Sequence, residues 1–228
     1  MGSREGHGAG AASPGTGKPR PPAMVSRLAR ELARRGIETV YCATGEEARD
    51  FLCRAIPPGT EVMTGSSATL AAIGFEEVLL SGGYDYYRPR IKALDDDRER
   101  IRLRRRSTTA EYFVGGVNAI SLTGEILNVD GSGGRVAGYA YGGGKVYLVA
   151  GVNKIAPTLS AAFRRLRNQA AAAECRALGR RTPCAADGVC RNYECYPPER
   201  QCGKVLIIEK ESIPGRITLV LIGENLGY

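Results

Sequence analysis

Residues 145–155 read KVYLVAGVNKI, and residues 112–120 read YFVGGVNAI. Each is a continuous apolar run closed by Gly-Val-Asn. An apolar run without alternation suits a strand buried on both faces, so Val146 to Ala150 is expected as a central strand. In open α/β sheets, ligands sit just beyond the carboxyl ends of the strands. Asn118, Asn153 and Lys154, which close the two runs, are therefore candidate ligand-binding residues. A plainer reading is open beside this one: the asparagines adopt left-handed turns and the lysine is a surface charge.

The segments to either side alternate helix and strand signals. Val25, Leu28, Ala29 and Leu32 recur at helical spacing, with Gly36 as a stop. Ile37 to Cys42 reads as a strand. Thr44 with Glu47 forms a capping box for a helix through Ala48, Leu52 and Ala55. Val62 to Thr64 is a short strand running into Gly65-Ser66-Ser67. A helix through Leu70 and Ile73 follows, broken at Gly74, with a second piece from Phe75 to Leu80. A glycine after a strand lets a ligand approach the backbone, and free amides at a helix start favour an anion. Gly65, Ser66 and Ser67 thus join the candidate ligand-binding residues, although plain N-capping accounts for the serines equally well.

Residues 95–106 read DDDRERIRLRRR, acids before arginines, the order a helix dipole favours. This run is expected to be a helix, with either a solvated or an anion-facing surface. Ile126 to Val129 and Val136 to Tyr139 flank a Gly-rich stretch, 130–134, that reads as a hairpin loop. Pro157 is expected to open a long helix to about Leu178. Val205 to Ile208 and Ile217 to Ile222 read as strands around Ile213-Pro214-Gly215. Together these features predict an α/β domain, a mixed sheet with helices on both faces.

Composition narrows the chemistry. Of 228 residues none is tryptophan, and the only histidine is His7, in a Gly/Pro-rich start. That removes serine–histidine and cysteine–histidine hydrolysis and the zinc-peptidase motif. Gly144-Lys145 is followed by Val146, so a phosphate loop fails, and no Gly-x-Gly-x-x-Gly opens a helix. The net charge of +8 suits an anionic small ligand; with no nucleic-acid-binding motif, nucleic acid is not the expected partner. Residues 1–23 are low-complexity and expected to be disordered, leaving 24–228 as one domain. No stretch approaches the ~20 apolar residues of a membrane span, and the start lacks the apolar core of a secretory signal. The expected location is the cytoplasm.

Cys184, Cys190, Cys195 and Cys202 fall within a loop expected over 181–203. Four thiols in one cytosolic loop can hold an iron–sulfur cluster, hold zinc, or form disulfides. Arg181, Arg191 and Arg200 would offset thiolate charge. Cys42, Cys53 and Cys175 stand apart and read as small buried hydrophobes.

GSSATLAAIG, the stretch GGVNAISLTGEILNVDGSGGRVAGYAYGGGKVYLVAGVNKI, TPCAADGVC with ERQC after it, and the ending RITLVLIGENLGY occur in that order. Together they resemble the LUD-domain (lactate-utilization) family over most of residues 24–228, in a stand-alone form with a cysteine-rich segment near its end. The resemblance implies a three-layer α/β/α fold with a mixed, mainly parallel sheet. That is the fold of the superfamily of ribose-5-phosphate isomerase, glucosamine-phosphate deaminase and CoA transferases. It also implies a component of a cytosolic redox complex that oxidises L-lactate to pyruvate with iron–sulfur partner subunits. Leu122 stands where the family often has an acidic residue, which disfavours acyl-CoA transfer unless Glu125 substitutes. The spacing of Cys190 and Cys195 is wider than the family's usual pair. A standalone sugar-phosphate isomerase or CoA-transferase-like enzyme, and a non-catalytic ligand-binding subunit, are the alternative functions.

Overall fold

The computed structural model describes residues 21–228. The tail expected over 1–23 therefore lies almost wholly outside the described residues, and the first helix, α1 (Ala23–Ala33), begins at its end. The next elements are β1 (Glu38–Cys42), α2 (Gly45–Ala55), β2 (Glu61–Thr64), α3 (Ala68–Ala72), α4 (Phe75–Leu80) and β3 (Asp85–Tyr86). After them come α5 (Tyr87–Lys92), α6 (Asp97–Arg106), β4 (Tyr112–Gly116), β5 (Ala119–Ser121), β6 (Ile126–Asp130) and α7 (Gly134–Ala137). The chain ends with β7 (Lys145–Gly151), β8 (Ile155–Ala156), α8 (Leu159–Arg165), α9 (Ala171–Ala177), α10 (Pro183–Asp187), β9 (Lys204–Ile208) and β10 (Ile217–Ile222). No helix among the described residues is long and apolar enough to cross a membrane.

Six strands form the main sheet in the order β1-β10-β7-β4-β2-β3, and every pairing in it is parallel. β7 is central, with Leu148 beside Leu219 on one side and beside Gly115 on the other. Alternate residues of β7 serve opposite faces, as strand geometry requires. Val146, Leu148 and Ala150 pack with Leu28 and Leu32 of α1. Tyr147 and Val149 pack with Leu52 of α2, Leu70 of α3 and Phe75 of α4. Helices thus cover both faces, giving the expected three-layer α/β/α arrangement. The antiparallel pairings are confined to a second, four-stranded sheet, β8-β5-β6-β9, whose outer side packs against Ala162 and Leu166.

Local signals behave as their chemistry suggests. Thr44 Oγ1 accepts from the Glu47 amide at 3.2 Å, and the Glu47 carboxylate accepts from the Ala43 amide, one residue before the cap. Asp96 caps α6 by accepting from the Glu99 amide at 2.8 Å, and no residue of α6 is buried. Gly74 sits at φ +70 between α3 and α4.

Two expectations are corrected. Val136 to Tyr139 is not a strand, and 130–134 is not a hairpin loop. The Asp130 carboxylate accepts from the amides of Gly133 (2.8 Å) and Arg135 (3.0 Å), which winds the chain into α7 and a π-helical turn over Gly138–Gly142. The partner of β6 on that side is β9 instead. Pro157 does not open the next helix. Thr158 is its cap, accepting from the Ala161 amide, and a π-helical turn over Leu166–Ala170 separates α8 from α9. The two last strands form where expected, and they lie in different sheets. β10 is buried throughout between β1 and β7, while β9 is a largely exposed edge strand.

Candidate functional site

A cavity of about 500 Å³ opens beyond the carboxyl ends of β2, β4 and β6, walled further by α5, α6, α7 and α9. Five of the six residues expected at a ligand site line it: Gly65, Ser66, Ser67, Asn118 and Lys154. Gly65 is needed for close approach, because a Cβ there would stand 2.6 Å from Cδ of Arg135. Ser67 Oγ accepts from the Leu70 amide at 3.2 Å, so this serine caps the five-residue α3. Asn118 Oδ1 accepts from the Val129 amide (2.9 Å) and from Arg135 (3.2 Å).

Asn153 is the exception. It lies outside the cavity wall and clamps the last residues instead: its amide donates to the Gly227 carbonyl at 3.1 Å, and its Oδ1 accepts from the Leu226 amide at 3.2 Å. The 3-10 turn over Val152–Lys154 turns the two side chains to different tasks. The clamp brings Tyr228 to the cavity, where its backbone oxygen accepts from Lys154 Nζ and its hydroxyl donates to Glu174 at 2.5 Å.

Lys154 is not the exposed charge of the plainer reading; it is 2% exposed. Burial, with the neighbouring Arg165 and Arg135 cations, lowers its ammonium pKa from 10.5 to about 7.

The wall also carries residues that the sequence did not single out. Arg88, Lys92, Arg100, Arg104 and Arg135 line the cavity against only two acids, Asp130 and Glu174. Arg88 is paired with Glu76 and Arg100 with Asp97, whereas Arg104 donates to the Ser132 hydroxyl at 3.0 Å and has no ion pair among the described residues. Arg135 lies 3.9 Å from Asp130. The acids-then-arginines order of 95–106 was the one available signal for Arg100 and Arg104. Arg135 was concealed by the mistaken strand, and Glu174 by its Ala-rich surroundings.

Glu125 is elsewhere. It accepts from Arg35 at 3.1 Å and from Thr123 at 2.5 Å, at the turn between β5 and β6 and outside the cavity wall. Burial raises its pKa, but the Thr123 hydroxyl and the other donors outweigh that and hold it below the usual carboxylate range. A carboxylate tied in this way joins α1 to the small sheet, and its position gives no support to acyl transfer.

Cys184, Cys190, Cys195 and Cys202 line one small pocket together with Arg167 and Arg200, around a void of about 10 Å³. Arg167 lies 3.0 Å from Cys202 Sγ, and Arg200 donates to the Cys195 carbonyl at 3.2 Å. Burial raises the thiol pKa of Cys190 and Cys195. Cys175, read from sequence as standing apart, is buried against Cys184. Cys175 and the four cysteines of this pocket are in no disulfide among the described residues.

Zinc and iron–sulfur sites alike draw on gathered thiolates, and no group of three or more His, Cys, Asp or Glu that could hold a metal ion is found among the described residues. The four thiols here match the four thiolates of an iron–sulfur cluster in number and line one pocket with flanking arginines, without being gathered as a metal group. The two sites share a wall. Glu174 of α9 lines the cavity while Cys175 packs beside Cys184, and Gln201 lines the cavity next to Cys202.

A family model described as LUD domain matches residues 25–222. Among solved structures, a DUF162-family protein from Deinococcus radiodurans is similar at a TM-score of 0.52 and 11% identity, over 88% of this chain and 96% of that one. This similarity extends to the fold alone. A translation initiation factor eIF-2B from Pyrococcus horikoshii OT3 aligns at 16% identity over 59% of this chain and 50% of its own, at a TM-score of 0.29, too slight a likeness to bear on the fold. No curated protein matches the chain.

Proposed function

Because the chain belongs to the LUD-domain family, we propose that it serves lactate utilization as a component of a system that oxidises L-lactate to pyruvate with iron–sulfur partner subunits. Its own cavity holds a small anionic ligand. The observation that carries the ligand part is the charge of the wall, where five basic residues and Lys154 face two acids. Charge-assisted hydrogen bonds from such groups are about twice as strong as neutral ones. Oxidising the carbinol removes two electrons and two protons, and the partner subunits take the electrons.

An iron–sulfur cluster on this chain is part of the proposal. Cys184, Cys190, Cys195 and Cys202 would hold it, and Arg167 and Arg200 would offset its charge. When bound it supplies one-electron transfer. The protein's own contribution is to keep water from the thiolates and to set them one wall away from the ligand.

Isolated from its native cells without air, the protein is expected to bring iron–sulfur subunits with it. Turnover of L-lactate by the pure chain would replace this reading with a standalone enzyme. Neither partners nor turnover would leave a ligand-binding subunit. For the thiols, Cys184→Ser or Cys202→Ser is expected to lower iron and sulfide together in anaerobic protein. Stoichiometric zinc without iron, or two disulfides in freshly quenched cells, would overturn the cluster.

A further inference from the structure

The cations that line the cavity differ in how far they are already answered. Arg135 is held by Asn118, the Val129 carbonyl and Asp130, and the buried Lys154 by an oxygen of Tyr228. Arg88 is paired with Glu76, and Arg100 with Asp97. Lys92 and Arg104 remain. Lys92 is the last residue of α5, and Arg104 is in the last turn of α6. Both line the cavity, both are exposed, and neither has a carboxylate partner among the described residues. Arg104 donates to the Ser132 hydroxyl at 3.0 Å, and that hydroxyl donates to Asp130 at 3.2 Å. A single hydroxyl leaves most donors of the arginine's planar fork unused.

The size of the cavity adds a second constraint. About 500 Å³ lies within the roughly 300–1,000 Å³ of pockets that take drug-sized ligands, and L-lactate is far smaller than such a ligand. The rest of the wall includes the buried Ile91, Phe113 and Val117 beside the polar Ser67 and Asn118. That mixture suits an uncharged carbon skeleton with hydroxyl groups rather than a second anion.

We infer that the cavity takes an organic phosphate monoester, with its phosphate between Lys92 and Arg104 at the mouth and its carbon skeleton inside. This rests on the reading of the cavity as an anion site and names the class of anion. A phosphate monoester carries about −1.5 to −2 charges at pH 7 and offers three acceptor oxygens. It therefore answers both free cations, where a carboxylate would answer one. The arginine fork matches a pair of phosphate oxygens, and the lysine adds a point charge. The lactate chemistry of the assembly and the ligand of this cavity are thereby separate.

The test is calorimetry on the full chain at low salt. The probes are ribose 5-phosphate and adenosine 5′-monophosphate, each beside its unphosphorylated parent, with inorganic phosphate and L-lactate. One of the esters is expected to bind about tenfold or more tighter than its parent, inorganic phosphate and L-lactate. Which one does so separates a sugar phosphate from a nucleoside phosphate. Arg104→Gln and Lys92→Gln should each weaken that ester about tenfold, the loss of one charge-assisted hydrogen bond, and leave the parent's binding unchanged. Arg98→Gln, at an exposed position of α6 outside the cavity wall, should change nothing. α6 buries no residue, so neither of its variants should disturb the fold, and circular dichroism checks this. L-lactate or inorganic phosphate binding as tightly as both esters would overturn the monoester while leaving the anion site standing. An ester that binds both cavity variants as tightly as the native protein would overturn it as well, and so would an equal loss in Arg98→Gln, which would be general surface charge. Parents binding as tightly as their esters, or no binding by any of these compounds, would overturn both readings.

Discussion

The stability of Lys154→Met relative to the native protein should be highest below pH 7 and should fall as the pH rises from 7 to 10.5. In the folded state the Lys154 amine holds its proton only below about 7, against 10.5 ordinarily, because of burial first and then Arg165 and Arg135. Each tenfold loss of proton affinity corresponds to about 1.4 kcal/mol. Below pH 7 the folded and unfolded chains both carry the ammonium, and the folded one bears the full cost of burying it. Between 7 and 10.5 the unfolded chain binds a proton that the folded chain does not, so stability rises with pH over that window. Above 10.5 both are neutral and the cost is gone. Methionine has similar length and no charge, so it removes the cost of burying the ammonium but leaves the Tyr228 oxygen without its donor. Urea unfolding of both proteins below and above that window measures the difference. A relative stability that does not change with pH would mean that the folded lysine keeps its proton.

Arg216→Met should destabilise the fold by about 3–5 kcal/mol, the usual loss when one partner of a buried ion pair is removed. Arg216 and Glu211 have side chains 6% exposed, with Nη2 and Oε2 2.5 Å apart. Arg216 also donates to the carbonyls of Tyr139 (2.9 Å), Ala140 (3.2 Å) and Gly143 (3.2 Å), which belong to or follow the π-helical turn after α7. Without it, Glu211 keeps the Ile213 amide but loses its cation, and three carbonyls lose a donor. Because α7 carries Arg135, the variant should also bind anions more weakly. Arg216→Met with Glu211→Leu should recover much of the stability, since neither charge is then left alone, but not the support of the turn. A single-variant loss below about 1 kcal/mol would show that the pair is dispensable.

The central strand was legible because its constraint is local and complete. A strand between two parallel neighbours is buried on both faces, so Val146 to Ala150 must be apolar without interruption, and it is. Position beyond a strand end likewise made Gly65, Asn118 and Lys154 readable as neighbours, and they line one cavity. Val136 to Tyr139 was misread because an apolar tetrad has the same composition in a strand and a helical turn. What decided it was the Asp130 carboxylate capping two amides, together with the Tyr139 hydroxyl finding the Gly116 carbonyl inside the core.

The sequence by itself determined the α/β class, most of the helix and strand positions, the family likeness, and the four-cysteine loop. These depend on periodicity, capping and spacing, which are properties of neighbouring residues. Tertiary structure alone decided that Lys154 is buried rather than exposed, that Asn153 clamps the chain's last residues, and that Glu174, Arg104 and Arg135 join the same wall. Burial and electrostatic environment are set by groups far apart in the chain: Lys154 meets Arg135, Arg165 and Tyr228, none of them its neighbour in sequence. The charge state of a lysine depends on what surrounds it in space, and no local pattern encodes that.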